Sequence, residues 1–322
     1  MKVGRIHRIA APTPFPVGPA NAYLIEGESP LLIDAGLRSD ASFQAITEGV
    51  SAAGLRLEDI RRIVLTHHHV DHAGGAARVK AVSGATIFAH PGDRTRLAGS
   101  GHHPELVKAL SQAGVPPDVL GRVDEAYFQI HAYHEPLHEI EPLLDGAVLE
   151  TGAGPLRVLY TPGHTQGSVC FWGDDDTLFS GDTVLERITP NAVLDGEGRN
   201  RWRALPVYVR SLARLRDMRP KRVFPGHGSA FTDMDRVVAG AFARYRARGA
   251  AILELLEYDA LTIFELGAKL FGTAEPTTIF LIISEVYGNL DLLEAHGAVE
   301  VVSENPLRYR AAGALGPDYP LT

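Results

Sequence analysis

Apolar residues occur along the first two-thirds of the chain in short runs that alternate with segments of helical periodicity. Strands are expected near residues 4–10, 20–27 and 30–35, and a helix is expected at 40–53. A further buried strand is expected at 60–66, where most residues are apolar and several are β-branched. Strands and helices mixed in this way predict a domain of the α+β class.

The last third of the chain has a different order of elements. Three helical segments and then two short strands around a turn are expected there, at Asp233 to about Glu257, 261–272, 276–295, 298–302 and 308–311. This is the order of elements in a winged helix. We therefore predict a large domain at residues 1–245 and a small helical, winged-helix-like domain at 246–322.

Residues 99–140 interrupt the alternation of strands and helices. The stretch combines a helical pattern around Leu106 and Leu110 with a break at Pro116-Pro117. Long connections of this kind are often functional, so we expect a helical insertion that acts as a lid over a binding cleft. The alternative is a solvated connector whose histidines lie on the surface.

The segment with the clearest chemistry is His-His-His-Val-Asp-His at residues 67–72, directly after the strand expected at 60–66. Imidazole and carboxylate groups are ligands that suit a divalent cation such as zinc. The pattern places them at the carboxyl end of a strand, where open α/β sheets tend to bind ligands. A solvated patch or a core histidine would account for a single histidine but not for this cluster. The sequence therefore predicts a metal site.

Three further segments each combine a short apolar run with a glycine-bearing turn and one potential ligand. They are Tyr160-Thr-Pro-Gly-His164, Leu178-Phe-Ser-Gly-Asp182 and Arg222-Val-Phe-Pro-Gly-His227. Glycine and proline form such turns for conformational reasons, so one segment alone would be read as an ordinary loop. Three of them in one chain favour a shared site.

The HxHxDH motif, followed by single His, Asp and His residues in that order, resembles the metallo-β-lactamase superfamily of hydrolases. The resemblance covers the chain from about Met1 to about Tyr245 and includes Asn21–Ile25 and Leu31–Gly36. It implies a four-layer αββα fold. One metal would be held by His67, His69 and His164, and a second by Asp71, His72 and His227, with Asp182 bridging them. His68 is not a ligand in that pattern.

The same resemblance implies a mechanism. Two metals about 3.5 to 4 Å apart share a water, lower its pKa and turn it into a metal-bridging hydroxide that attacks the substrate. The catalytic carboxylates would then be Asp71 and Asp182, and no protein nucleophile is needed. The chain accordingly lacks a GxSxG elbow and a GxxxxGK loop, and Cys170, its only cysteine, is expected to be buried. Zinc is the expected metal, with manganese or iron as alternatives, because nitrogen and oxygen ligands accept all three.

Three functions are compatible with this ligand set. The first is hydrolysis of a small ester-like substrate, above all a thioester, as in the glyoxalase-II-like branch. The second is cleavage of single-stranded RNA, because a catalytic domain with an acidic winged helix resembles an endoribonuclease-like group. The third is a binding protein without activity, which the complete ligand set disfavours. Superfamily members with a cysteine ligand place it near Asp182, so the antibiotic hydrolysis of that subgroup is also disfavoured.

The segment from Val184 to Pro206 follows the expected bridging aspartate and should lie beside the metals. Its polar residues could bind a carboxylate or phosphate of the substrate, since a guanidinium offers a planar pair of donors. The candidates are Arg187, Asn191, Arg201 and Arg203. The alternative is that these side chains are simply solvated.

Charge and composition limit the classes of binding partner and the location that we expect for the protein. The formal net charge is -8, and acidic residues outnumber basic ones after Gly240, which disfavours nucleic acid and favours a small-molecule substrate. A single cysteine excludes intrachain disulfides, and the first residues lack the apolar core of a signal peptide. Since no run approaches 18 apolar residues, no membrane span is expected, and the expected location is the cytoplasm.

Overall fold

The computed structural model describes residues 5–99, 104–196, 201–272 and 274–321. The chain forms two compact units, each assembled from three separate segments. The first unit consists of Met1–Ser100, Ile130–Pro190 and Leu215–Val237, and the second of Gly101–Gln129, Asn191–Arg214 and Val238–Thr322.

The first unit contains a six-stranded sheet in which the strands lie in chain order. They are β1 (Ile6–Ala11), β2 (Ala20–Ile25), β3 (Leu31–Ile33), β4 (Arg62–Val64), β5 (Thr86–Ala89) and β6 (Glu141–Pro142). The strands from β1 to β3 are antiparallel, and those from β3 to β6 are parallel. Parallel neighbours need crossover connections. The helices of these connections include α1 (Asp40–Ala52), α2 (Val70–Ala73), α3 (Ala76–Ser83) and α4 (Arg94–Ala98).

A second, five-stranded sheet belongs to the same unit. Its strands are β7 (Val148–Leu149), β8 (Leu156–Tyr160), β9 (Val169–Gly173), β10 (Thr177–Gly181) and β11 (Arg222–Pro225), in the spatial order β11-β10-β9-β8-β7. Neighbouring strands are antiparallel except β10 and β11. Those two are parallel, and the chain between them includes helix α7 (Ala204–Asp217).

Side-chain alternation along the strands of the first sheet produces two cores. Leu24 and Leu32 point to one face, where they belong to a buried cluster with Ile46 of α1 and Val79 of α3. Residues on the opposite face belong to a cluster shared with the second sheet, with members that include Tyr23, Leu31, Ile33, Val158, Phe171 and Phe179. One core therefore joins helices to a sheet and the other joins the two sheets. The predicted α+β fold is confirmed, and Cys170 is buried in β9 as expected.

The second unit contains most of the C-terminal region. Helix α8 (Met234–Leu255) is followed by β12 (Leu261–Thr262), α9 (Ile263–Phe271), α10 (Pro276–Ala295), β13 (Val299–Glu304) and β14 (Leu307–Ala311). The three strands form a small sheet in the order β12-β14-β13. The expected helices and strands are therefore present. The winged-helix assignment and the boundary near residue 245 stay predictions.

The insertion predicted at 99–140 contains two helices, α5 (Pro104–Gln112) and α6 (Pro117–His131). Most of it belongs to the second unit, where the backbone N–H of Phe264 donates to the carbonyl oxygen of Ala113 (2.9 Å). Tyr127 also packs edge-on against Phe280. These two segments are helical, whereas residues 100–103 lie outside the described residues. The role as a lid stays a prediction.

A capping box starts helix α9 and permits a direct stability test. The Thr262 hydroxyl accepts from the Glu265 backbone N–H (3.1 Å), and the Glu265 carboxylate accepts from the Thr262 N–H (2.7 Å). Thr262→Ala should lower the free energy of unfolding by about 0.5 to 2 kcal/mol, because a helix N–H loses its partner. Urea unfolding monitored by circular dichroism measures this change. Thr262→Ser keeps the hydroxyl and should stay near wild type; an equal loss in both variants would contradict the capping role.

Within the described ranges, no single helix combines the length and hydropathy needed to cross a membrane. Helices α9 and α10 reach that length and hydropathy only when they are counted as one segment, and they are bent by 110° relative to each other.

Candidate metal centre

The histidine-rich segment forms the turn between β4 and α2. The chain leaves β4 at Val64, and α2 begins at Val70, so His67, His68 and His69 lie in the connection between them. Strand β4 lies between β3 and β5 and runs parallel to both. The carboxyl ends of these three strands therefore meet at one edge of the sheet.

Three overlapping groups of side chains each bring potential ligand atoms within 4.8 Å of one another. They are His67, His69 and His164; His67, His72 and Asp182; and Asp71, His72 and His227. All seven side chains expected as ligands occur in these groups. Among the residues that the structure describes, His68 is in none of them. The geometry is consistent with the expected ligand set. That these seven side chains bind metal stays a prediction.

Short distances between ring nitrogens mark where these groups converge. Nδ1 of His69 lies 2.9 Å from Nε2 of His164, and Nε2 of His72 lies 3.3 Å from Nε2 of His227. The carboxylate of Asp182 lies between the two pairs, 3.8 Å from Nε2 of His164 and 3.4 Å from Nε2 of His72. It is thus within 4 Å of both groups, as a bridging ligand would have to be.

Burial and neighbouring charges act differently on the two groups. Burial, together with the surrounding imidazoles, lowers the pKa of His67 and of His69 well below its ordinary value. Burial opposes charge on His72 too, but the carboxylates of Asp182, Asp71 and Asp34 outweigh it and raise the His72 pKa well above its ordinary value. His67 and His69 are therefore neutral imidazoles, whereas His72 lies among three carboxylates that favour its charged form.

A buried nitrogen tests whether the donor set fits a metal ion. His67 is only 2% exposed, and its Nε2 has no hydrogen-bond partner among the described residues. Its other ring nitrogen, Nδ1, lies 3.0 Å from the Thr66 hydroxyl. An unpartnered buried polar atom is costly, whereas a divalent cation would use the free lone pair. The residues present therefore fit a divalent metal.

Asp34 supports this site but was not among the expected site residues. It follows β3 and has a left-handed backbone with φ +58°, which is uncommon outside glycine. Its carboxylate accepts from the backbone N–H and the hydroxyl of Thr66 (both 2.8 Å) and from Nδ1 of His72 (2.8 Å). The bond to Nδ1 orients Nε2 of His72 toward the other ligand atoms. The sequence around Asp34 is an apolar run followed by Asp-Ala-Gly, which does not by itself indicate that the aspartate orients a metal ligand.

Two contacts explain the Pro-Gly-His sequence at the end of β11. Nδ1 of His227 donates to the carbonyl oxygen of Pro19 (2.9 Å), which leaves Nε2 facing Asp71 at 3.3 Å. At Gly226 a Cβ atom would lie 2.2 Å from Oδ1 of Asp182. Only glycine therefore allows the backbone to approach the expected bridging carboxylate so closely.

Of the four expected substrate contacts, three belong to the second unit. Arg201 is 6% exposed, forms an ion pair with Asp291 and stacks over the ring of Tyr287. Arg203 pairs with Glu294 (2.9 Å), and the Asn191 side chain donates to the carbonyl oxygen of Leu281 (3.0 Å). Arg187 is exposed in the first unit. Their role as substrate contacts stays a prediction, but all three residues of the second unit already bond to α10.

Comparison with known proteins agrees with the fold. A model of the metallo-beta-lactamase superfamily matches residues 15–227. A probable metallo-hydrolase of Bacillus subtilis, YqjP, is 30% identical over 298 residues, which cover 90% of this chain and 92% of that protein. A crystal structure of a metallo-beta-lactamase family protein from Thermus thermophilus has a TM-score of 0.82 at 28% identity, and the match covers 95% of this chain and 98% of that one.

A third relative has a named activity. The hydroxyacylglutathione hydrolase of Methylococcus capsulatus is 30% identical over 161 residues, which cover 50% of this chain and 46% of that enzyme. The family match spans most of the chain, and the Bacillus relative is matched over nearly its whole length. The chain therefore belongs to the metallo-beta-lactamase superfamily and is a metal-dependent hydrolase.

Proposed function

We propose that this protein is a dinuclear metal hydrolase that acts on a small ester-like substrate, specifically a thioester. The observation that carries the proposal is the convergence of seven histidine and aspartate side chains into overlapping groups, with the Asp182 carboxylate between them. One divalent ion would be held by His67, His69 and His164, and a second by Asp71, His72 and His227. Asp182 would contact both ions.

When bound, two such ions would lower the pKa of a water molecule and polarise the carbonyl oxygen under attack. Zinc suits this set of nitrogen and oxygen donors, and manganese or iron could also occupy it. The protein supplies ligands that are ready to bind. His67 and His69 are neutral because burial lowers the pKa of each, so they bind metal at neutral pH without first releasing a proton.

The thioester is favoured by the similarity to a hydroxyacylglutathione hydrolase, an enzyme whose name specifies a glutathione thioester. The ligand set agrees with this choice, since an aspartate rather than a cysteine occupies the expected bridging position. A thioester carbonyl is also an electrophile that an activated water can attack without a nucleophilic side chain.

Charges in the C-terminal region favour a small substrate over nucleic acid. Arg248 pairs with Glu285 (3.4 Å), Arg308 with Glu265 (3.1 Å) and Arg310 with Glu300. The guanidinium of Arg246 donates to backbone carbonyls that include Pro317 (2.7 Å). These cations are neutralised or engaged within the same unit, whereas binding to phosphates requires a basic face.

A direct assay tests the proposal. Protein purified without chelator should contain about two divalent ions per chain and should hydrolyse members of a panel of acyl-thioesters. Dialysis against a chelator should abolish the activity, and added zinc or manganese should restore it. A labelled single-stranded RNA serves as the competing substrate. Cleavage of the RNA without thioester turnover, or fewer than about one metal per chain, would refute the proposal.

A further inference from the structure

We propose that Asp93 is a positioning residue that joins the two turns carrying His67, His69 and His164, and that it thereby sets the metal affinity of this three-histidine group. The inference rests on the proposed ligand assignment. Asp93 is not part of the metal-binding motif, and it belongs to none of the ligand groups formed by the described residues.

Asp93 lies in the connection that follows the strand next to the histidine-rich turn. It ends a short 3-10 helix, Pro91–Asp93, just after β5, and β5 is hydrogen-bonded to β4. Only 1% of Asp93 is exposed. A carboxylate removed from water in this way is tolerated when its oxygens accept hydrogen bonds, so each of its partners has energetic weight.

The first set of partners lies in the histidine-rich turn. Oδ2 of Asp93 accepts a hydrogen bond from the backbone N–H of His68 (2.8 Å), and Oδ1 lies 3.1 Å from Nδ1 of the same residue. His68 stands between His67 and His69, so fixing its backbone fixes the spacing of the two proposed ligands. This gives His68 a structural role in the cluster even though it is not expected to bind metal.

The second set of partners lies in the turn that carries His164. Oδ2 accepts from the hydroxyl of Thr165 (2.9 Å), and Oδ1 accepts from the backbone N–H of Gly167 (2.8 Å). The backbone N–H of Thr165 is held in turn by the Ser168 hydroxyl (3.0 Å). One carboxylate therefore bonds to both turns, which are about 95 residues apart in the chain.

The local packing is specific for a carboxylate in this place. A Cβ atom on Gly167 would lie 2.5 Å from Cγ and 2.6 Å from the backbone nitrogen of Asp93, so this close approach requires glycine. Burial raises the pKa of Asp93, but His68 and the hydrogen bonds from Thr165 and Gly167 outweigh burial and hold this pKa below its ordinary value. The side chain is therefore ionised, and every partner donates to it. An asparagine amide would point its own N–H groups at some of these donors.

Asp34 provides a natural comparison, because it is also a buried carboxylate at the end of a strand adjacent to β4. It bonds to Thr66 and to His72, a proposed ligand of the second ion, and thus supports the other half of the site. Asp93 and Asp34 therefore bind different parts of the histidine-rich segment: Asp93 binds His68, and Asp34 binds Thr66 and His72. Loss of a side chain that orients metal ligands typically weakens metal binding about 10- to 100-fold.

The test measures zinc affinity directly. His227→Ala removes one ligand of the second group and leaves the three-histidine group intact, whereas His164→Ala does the reverse. Apoprotein with each substitution is titrated with zinc in competition with a chromophoric chelator. Adding Asp93→Asn to His227→Ala should weaken zinc binding about 10- to 100-fold, and adding Asp34→Asn to His164→Ala should have a comparable effect. Adding Asp93→Asn to His164→Ala should change the affinity much less.

In an otherwise wild-type chain, Asp93→Asn should lower thioester hydrolysis at limiting zinc, and saturating zinc should restore kcat with KM unchanged. A general packing defect would not be reversed in this way. Unchanged zinc affinity in the His227→Ala background, or an equal loss in both backgrounds, would overturn the inference. If wild-type protein binds no zinc, the proposed function itself fails. If Asp93→Asn does not fold, Thr165→Val removes one of the bonds to Asp93 and decides the question by the same titration.

Discussion

Asp182→Ala should reduce hydrolysis at least about 10³-fold, because it removes the carboxylate that lies within reach of both proposed metals. Metal ions contribute several kcal/mol of transition-state stabilisation, and each 1.36 kcal/mol corresponds to about a factor of ten in rate. The bound metal should fall below two ions per chain at the same time. Steady-state kinetics on a thioester and elemental analysis of the same preparation measure the two effects together.

Asp174→Ala is the matched control, since Asp174 is an exposed aspartate in the turn that precedes β10. It should retain wild-type activity and metal content. Full turnover by the Asp182 variant would contradict the proposed mechanism, whatever its metal content.

Asp291→Ala is expected to be the most destabilising substitution considered for the second unit. It removes the Asp291 carboxylate from its ion pair with the buried guanidinium of Arg201, and breaking a buried pair in this way costs about 3 to 5 kcal/mol. Because folded proteins are stable by only about 5 to 15 kcal/mol, a measurable part of the variant should unfold at moderate temperature. Urea unfolding and the Tm report this loss.

Two controls separate burial from charge. Glu300→Ala breaks the exposed pair with Arg310 and should cost no more than about 1 kcal/mol. Combining Arg201→Met with Asp291→Leu replaces both buried charges of the pair by apolar side chains and should recover most of the loss. Equal destabilisation by Asp291→Ala and Glu300→Ala would show that the buried pair has no special weight.

The main elements and the candidate ligands were predictable because their signals are local. His67 follows β4 of the first sheet within a few residues, and His164 and His227 follow β8 and β11 of the second in the same way. Ligand-binding residues are common just beyond the carboxyl ends of strands. The residue types indicate metal binding, since clustered imidazoles and carboxylates have few other roles. The helices and strands after α8 were likewise visible in the periodicity of apolar positions.

The supporting residues were not predictable, because their partners are distant in the chain. A single aspartate in a turn, such as Asp34 or Asp93, looks like many surface residues until its burial is known. From the sequence, Arg201 was a candidate to bind an anionic group of the substrate. Its partner Asp291 is 90 positions later, and pairing over that separation leaves no periodic trace in the sequence. The contact between Ala113 and Phe264 is equally remote.

The interleaving of the two units has a consequence for the order of folding during synthesis. All segments of the first unit precede Val238, so it can fold before the rest of the chain emerges. Segments 101–129 and 191–214 must wait for the final segment of their own unit. At typical rates of translation, roughly 5 to 20 residues per second, these last 85 residues take about 4 to 17 s. During that interval side chains such as Leu110 and Leu212, which are buried in the folded protein, lack the rest of their unit, and such transiently exposed apolar surface is a target for chaperones.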